Sequence, residues 1–435
     1  MGAKSASIPH WYDSSGDEPL NMTDGDGARV YDHEGNEYLD FLSQLYCANA
    51  GFSNDRIIEA MYEQLNSIPY VSSSKHNTTR MQLADKLAEV APEPLNDVFF
   101  SISGSEANES AVKFAREYQD APKVLTRWRS YHGSTYGAAS LTGDPSTRAT
   151  LERYAATSGS AKFLPPVDYR GPFDADSPEE LAEQATDHLE YVIRNEGPDS
   201  VAAVLTEPIG GSAGAYTAPP GYFERVREIC DEYDVLMISD EVICGFGRCG
   251  DWFGIQTEGV QPDMVTFAKA VTSAYAPLAG VMVRPEIADH LREEGISTGQ
   301  TFGGHPVACA AGVAALEEYE NGLIDNVKQL APVLEEQLHT LESHDVVGDI
   351  RGRGFHWAIE FTNPATGEPF VDPMVDHDED NPVKELAHTA QDHGLIIGTG
   401  RPDHQILLSP PLCIDKDDIA EAVDVLDQSI EQVFG

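Results

Sequence analysis

The sequence predicts an α/β chain, a mostly parallel sheet with helices on both faces, followed by a smaller α+β domain. Three observations predict it. From residue 98 onward short apolar runs alternate with amphipathic stretches, the rhythm of strand–loop–helix units. Several of those runs are apolar along their whole length, as strands covered on both faces must be. After about residue 325 the rhythm changes to a long helix, a strand pair and a terminal strand–helix unit.

Taken in order, RVYDHEGNEYLDFL (29–42) reads as a hairpin, two alternating strands about a turn at Glu34-Gly35-Asn36. TRMQLADKLAEVAP (79–92) has helical apolar spacing and ends at proline. VFFSIS then leads into the helix GSEANESAVKFAREY, and KVLTRWRS into a loop. VAAVLTEPI is followed by GGSAGAYTAPPG and the helix YFERVREICDEY, and then by VLMISDEV. MVTFA, LAGVMV and a helix over 306–320 complete the series. Beyond it come a helix over 327–342, strands in DIRGRGFHWAIEF, an acidic loop near 371–382, a helix and a last strand–helix unit. The expected division is an N-terminal segment, 1–60, joining the small domain; a large α/β domain, 61–325; and a C-terminal small domain, 326–435.

Charge narrows the partners. With 28 basic and 73 acidic residues the formal net charge is −45, a field that repels nucleic acid and anionic membranes. The acids are spread along the chain, which suits a solvated surface in very salty cytosol, where a Debye length of roughly 3 Å mutes self-repulsion. A salt-accumulating host is expected. None of the six cysteines forms a C-x-x-C pair, so neither a disulfide framework nor a metal site is expected. The N-terminal residues lack an apolar signal core. The longest apolar run, about VACAAGVAAL, falls short of the roughly 20 residues a bilayer span needs. A soluble cytoplasmic protein is expected.

Of the ten lysines, nine lie in the tail, on polar or amphipathic helical patterns, in polar loops or at a strand entrance. Lys269 alone follows a buried-looking strand, MVTFA, and precedes a small-residue turn, AVTSAYAP. Burial disfavours an ammonium and frees its lone pair for attack on a carbonyl; a snorkelling or salt-bridged lysine would look the same. SDEV (239–242) ends a strand where α/β sheets bind ligands. Asp240 and Glu241 alternate in facing, so one of them reaches a given ligand. In SISGSEANES a strand runs into Gly104-Ser105 and a helix, whose free N–H groups make an anion site. Ser105 and Glu106 can also be read as helix caps. GFGRCG (245–250) matches G-x-G-x-x-G in letters only, since no amphipathic helix follows it and the acid precedes the glycines. An anion cradle, the loop Tyr131-His132-Gly133, a strand-end acid and an apolar lysine are together what pyridoxal phosphate needs.

PPGYFERVREICDEYDVLMISDEVICGFGRCG, Lys269, TFGGHPVACAAG, SGSEANESAVKFAR and SYHGSTYGAASLTG resemble the class III pyridoxal-phosphate aminotransferases, the omega-transaminases, from about residue 18 to 430. The resemblance implies a fold-type I transferase and a homodimer with its active site at the subunit interface. It implies Lys269 as the Schiff-base lysine and 1,3-proton shuttle, and Asp240 as partner of the pyridine nitrogen. Val242 would lie under the ring and Tyr131 over it, with His132 in the same loop. Gly104 and Ser105 would hold the phosphate with Thr301 of the partner subunit, and Glu207 would lie near the cofactor hydroxyl and a substrate-binding arginine. Val242 as plain core and Thr301 as a helix cap stay open beside those roles. Where the family has glycines after the lysine, this chain has Ala270 and Ala274, tolerable if neither needs a positive φ. Arg401 is the candidate for the carboxylate-binding arginine, displaced by about a residue. Tyr46, in QLYCANAGF, would wall the substrate pocket, and SSSKH (72–76) is more polar there than is usual. The expected reaction moves an amino group from a primary amine or omega-amino acid to pyruvate by a ping-pong mechanism. Use of 2-oxoglutarate, decarboxylation or aminomutation are the alternatives.

Overall fold

The computed structural model describes residues 7–8, 10, 19–151, 159–372 and 381–435. Among them fifteen strands form three sheets. β1 (Met22–Asp26), β2 (Arg29–Asp32) and β3 (Glu37–Asp40) make a meander. The hairpin turn is tied by Asp32, whose Oδ1 accepts the Glu34 and Asn36 amides at 2.8 and 2.9 Å. β4 (Asp97–Ser101), β5 (Lys123–Arg127), β6 (Ser160–Phe163), β7 (Val201–Thr206), β8 (Leu236–Asp240), β9 (Met264–Phe267) and β10 (Ala279–Val283) form the central sheet, in the order β4-β10-β9-β8-β7-β5-β6. β11 (Val347–Arg353), β12 (His356–Phe361), β14 (Gly398–Thr399) and β15 (Gln405–Leu408) form a third sheet. β13 (Leu395–Ile396) pairs in parallel with β3, joining the N-terminal meander to the C-terminal part.

β7, β8, β9 and β10 are buried at every position, which is why their sequences are apolar rather than alternating. LAGVMV departs from the expected direction, since β10 runs antiparallel to both β4 and β9. With that strand inserted between them, β4 and β9 still point the same way. The C-terminal ends of β4, β9, β8, β7 and β5 therefore share one edge of the sheet.

Helices cover both faces. Gly104–Gln119 is capped by Ser103, whose hydroxyl accepts the Glu106 amide at 3.3 Å, while Glu106 accepts the Ile102 amide at 3.1 Å. Ser105 is thus not the cap. Tyr222–Glu232 buries Tyr222, Phe223, Val226, Ile229 and Cys230, one helical stripe. Pro306–Glu318 is apolar all round and packs against the helices Asp55–Ser67 and Thr78–Val90 and the turn that begins at Lys269. Pro178–Glu196 goes unread in the sequence: its buried stripe of Leu181, Ala185, Leu189 and Ile193 is narrow and lies among acids. The predicted acidic loop falls mostly on 373–380, outside the described residues. Among those that are described, no helix is long and apolar enough to cross a membrane.

Candidate active site

Five strand ends meet at the shared edge. β4 delivers Gly104 and Ser105, β5 delivers Tyr131 and His132, β7 delivers Glu207, β8 delivers Asp240 and Val242, and β9 delivers Lys269. Register fixes the last two relative to each other. Asp240 stands opposite Thr266 across the parallel pair, three residues before Lys269.

The backbone is shaped for close approach. A Cβ on Gly104 would come within 3.0 and 3.1 Å of the two Val242 methyl carbons, so this position must be small for β8 to touch the helix start. Gly133 has φ +129, and a Cβ there would sit 2.3 Å from the Ser105 hydroxyl. Only glycine lets the loop after β5 close on that helix. Ser105 Oγ accepts the Ser134 amide at 3.3 Å, which pins the loop to it.

Asp240 is buried, and its oxygens are held from three directions. Oδ1 accepts the Val242 amide at 3.0 Å. Oδ2 accepts Asn108 Nδ2 at 2.8 Å and lies 2.7 Å from His132 Nδ1. Its neighbour Glu241 faces the other way, as strand alternation requires. There it accepts the Gly254 and Ile255 amides, each at 2.8 Å, and the Ser239 hydroxyl at 3.1 Å. Burial outweighs those hydrogen bonds and pushes its pKa up to about 7. Glu241 ties down the turn after β8, and Asp240 is the acid of the edge. The rejected GFGRCG run is a structural turn. Its buried Arg248 donates to Phe355 O, Ser43 Oγ, Asn49 Oδ1 and Pro410 O.

Lys269 has φ +51, a left-handed conformation that an ordinary residue adopts only under constraint. Desolvation lowers its pKa, against the opposing pull of the Cys47 thiol and the Asp240 and Glu207 carboxylates. Its Nζ lies 5.2 Å from the centre of the Tyr46 ring. Tyr46 also sits at positive φ and meets the His356 ring edge-on at 5.9 Å. Glu207 is buried with one hydrogen bond, from the Gly211 amide at 3.1 Å, and burial raises its pKa. Arg127 Nη2 is 3.9 Å from its second oxygen.

Of the two remaining candidates, Arg401 joins the group and Thr301 does not. The Arg401 guanidinium lies 5.5 Å from the Tyr131 ring centre, its Nη1 reaches Thr147 Oγ1 at 3.3 Å, and its amide donates to Ser212 O at 2.7 Å. Thr301 is exposed, with its carbonyl accepting the Tyr70 hydroxyl at 3.2 Å. It is no helix cap either: the helix Pro306–Glu318 starts from His305 without a side-chain cap bond. Ala274 stands at φ +64, so the condition on which the two alanines are tolerable is not met at this one. Reading the sequence alone misses Asn108. The available signal was its place four residues after Gly104, on the same face of the helix.

The site also holds buried polar atoms without a hydrogen bond: His132 Nε2, Glu207 Oε2 and Ser212 Oγ. An anion cradle, a fixed carboxylate and an amine of lowered pKa, beside polar atoms with unused capacity, fit a phosphorylated pyridine aldehyde.

The family model for class III aminotransferases matches residues 12–430. This chain belongs to the class III aminotransferases. Such enzymes use pyridoxal 5'-phosphate, and the fold is that of the fold-type I transferases. A putrescine–pyruvate aminotransferase of Pseudomonas aeruginosa is 35% identical over 94% of this chain and 90% of its own. A mitochondrial gamma-aminobutyrate transaminase of Oryza sativa subsp. japonica is 35% identical over 95% and 81%. The PMP-bound aminotransferase structure from Vibrio fluvialis superposes with a TM-score of 0.91 at 32% identity, covering 99% of this chain and 96% of that one.

Proposed function

We propose that this class III aminotransferase takes the amino group of a primary amine or omega-amino acid and passes it to pyruvate in a ping-pong cycle. One observation carries the reading. Adjacent parallel strands in fixed register deliver a buried carboxylate, Asp240, and an amine of lowered pKa, Lys269, to the edge where α/β sheets bind ligands. The names of the two relatives, one for putrescine with pyruvate and one for an omega-amino acid, support the donor class.

When bound, pyridoxal phosphate supplies an aldehyde for an amine to bond and a ring that draws off electrons as a proton leaves the carbon beside that amine. The amides of Gly104 and Ser105, at a helix N-terminus, bind the phosphate. Asp240, steadied by His132, would pair with the protonated ring nitrogen, and Val242 and Tyr131 would pack against the ring. Lys269 Nζ, an amine of lowered pKa, would be the group that holds the aldehyde end of the cofactor and, uncharged, the base that would take and return the substrate's proton. Glu207 would lie near the cofactor hydroxyl and the substrate-binding arginine. Tyr46 walls the amine pocket, excluding water beside Lys269. Arg401 binds the keto acid carboxylate and yields its place to donors that lack one.

The enzyme works as a homodimer in this reading, with Thr301 completing the partner subunit's phosphate site. Thr301 lies beside exposed Phe302 and Tyr70 (52% and 42% accessible), and Ile58, Tyr62 and Leu65 are exposed on one face of a nearby stretch. Exposed apolar surface of this kind favours burial against a second copy. The same reading divides the chain at 60 and 325, the first segment joining the last through the β3–β13 pair, and places the enzyme in a salty cytoplasm. The test is optical. The purified protein should be yellow, bleach with diamines or omega-amino acids, and recover with pyruvate. Recovery with 2-oxoglutarate in place of pyruvate would shift the acceptor, and a protein that never takes up the cofactor would end the proposal.

A further inference from the structure

We infer that Asn108 is a positioning residue whose side-chain amide fixes the orientation and proton state of Asp240 toward the ring nitrogen of the cofactor. The inference rests on the proposed role of Asp240. Asn108 lies on the helix Gly104–Gln119, one turn beyond Gly104, and is 1% exposed. Its Nδ2 donates twice, to Asp240 Oδ2 at 2.8 Å and to the His132 carbonyl at 2.9 Å. Its Oδ1 accepts the Thr266 hydroxyl at 2.7 Å.

Those three bonds leave no freedom in the amide. An Asn can turn its oxygen where its nitrogen was, and crystallographic density rarely distinguishes the two. Here the His132 carbonyl and the Asp240 carboxylate decide, because they accept and so take the two amide protons, leaving Oδ1 to the Thr266 hydroxyl. A flipped amide would set its oxygen against the Asp240 carboxylate and the His132 carbonyl, acceptor against acceptor. Thr266 is itself placed by strand register, directly opposite Asp240. Asn108 thus links the helix of the anion cradle, the loop of Tyr131 and His132, and the two strands that lead to Asp240 and Lys269.

The chemical consequence follows from what Asp240 must do. Pairing with a ring nitrogen that carries a proton requires a full carboxylate, and a hydrogen-bond donor at Oδ2 favours the charged form. Asn108 supplies that donor without adding charge, whatever the state of His132 on the same oxygen. The other groups that act on this carboxylate are His132 from the loop after β5, Glu207 after β7, Lys269 after β9 and Glu241 on its own strand. Two of these are acids, so a neutral donor matters here.

The sharp variant is Asn108→Asp, which keeps the shape and the Thr266 contact. It puts a second carboxyl 2.8 Å from the first, and two carboxyls that close share one proton. Apo-protein titrated with pyridoxal phosphate, followed by tryptophan fluorescence, should show affinity weakened by about tenfold or more, the equivalent of one pKa unit or more. With ring-15N cofactor, the bound nitrogen should shift toward the value seen with Asp240→Asn. Thr266→Val, which removes the donor to Oδ1 and leaves the amide less firmly held, should move both readouts the same way but less, and serves if Asn108→Asp does not fold. A lowered melting temperature with wild-type affinity and an unmoved 15N signal would make Asn108 merely structural and overturn the inference. If Asp240→Asn itself moves neither readout, the role of Asp240 fails, and the inference with it.

Discussion

Two buried glutamates in this chain have opposite fates. Glu360, on β12 in the C-terminal sheet, is 1% exposed, and burial alone would raise its pKa. His404, Arg351 and Arg129 outweigh burial and hold it down at about 2. Its partners stand close: Arg351 Nη1 at 2.9 Å, Arg170 Nη1 at 3.2 Å and His404 Nε2 at 3.4 Å. Glu207, at the edge of the central sheet, is 4% exposed; its carboxylate has one hydrogen bond, its second oxygen has only Arg127 at 3.9 Å, and its pKa is raised. The first acid is satisfied and cross-links strands and loops. The second keeps unused capacity, as a group does when a ligand is to complete it. Burial alone does not separate structure from function in this fold; the degree of satisfaction does.

The comparison breaks most visibly at Glu360. Glu360→Gln takes from Arg170 its carboxylate partner and leaves Arg351 with Asp349 alone, in a largely buried setting, at a cost of about 3–5 kcal/mol, read as a lower urea midpoint at neutral pH. The sign of the pH dependence is fixed by the depressed pKa. Below the unfolded value of 4.5, stability contributed by Glu360 is lost as pH falls through about 2, and the variant should lack that part of the acid transition.

Glu241 gives the next largest effect. Glu241→Gln turns an amide N–H₂ toward one of the two backbone donors, Gly254 or Ile255, and should cost about 1–3 kcal/mol. Its raised pKa works the other way in pH. The wild type should lose stability as pH rises from 4.5 through about 7, and the variant should show a flatter profile over that window in thermal melts.

Glu207→Gln should behave as its unsatisfied environment dictates. It removes a poorly solvated charge while keeping an oxygen for the Gly211 amide, and against that it takes the counter-charge from buried Arg127, so the apo-protein's stability should change by no more than about 1 kcal/mol at neutral pH, while turnover falls. A loss of stability comparable to that of Glu360→Gln would erase the distinction drawn between the two acids.

The smallest effect is at Ala274, held at φ +64. Ala274→Gly relieves a left-handed alanine and should raise stability by about 1 kcal/mol in denaturant melts, with turnover unchanged.

What could be read from the sequence follows the same physics. The strands of the central sheet were plain, because apolar runs such as VAAVLT and MVTF are what two-sided burial demands. Lys269 stood out because an ammonium after such a strand conflicts with its surroundings. Asp240 and Glu241 could be assigned opposite facings from strand alternation. The antiparallel direction of β10 was not legible, since LAGVMV is buried on both faces whichever way it runs. Asn108 was hidden because its role exists only once a helix, a loop and two strands converge on one carboxylate. The positive φ of Ala274 was invisible for a similar reason: the side chain suits a helix, and the turn after Lys269 overrides that preference.

The most direct measurement is covalent. Borohydride reduction of the yellow protein, followed by proteolysis and mass spectrometry, should leave the reduced cofactor on a single peptide, attached to Lys269. A protein that binds pyridoxal phosphate yet carries the adduct on another lysine, or on none, would contradict the account.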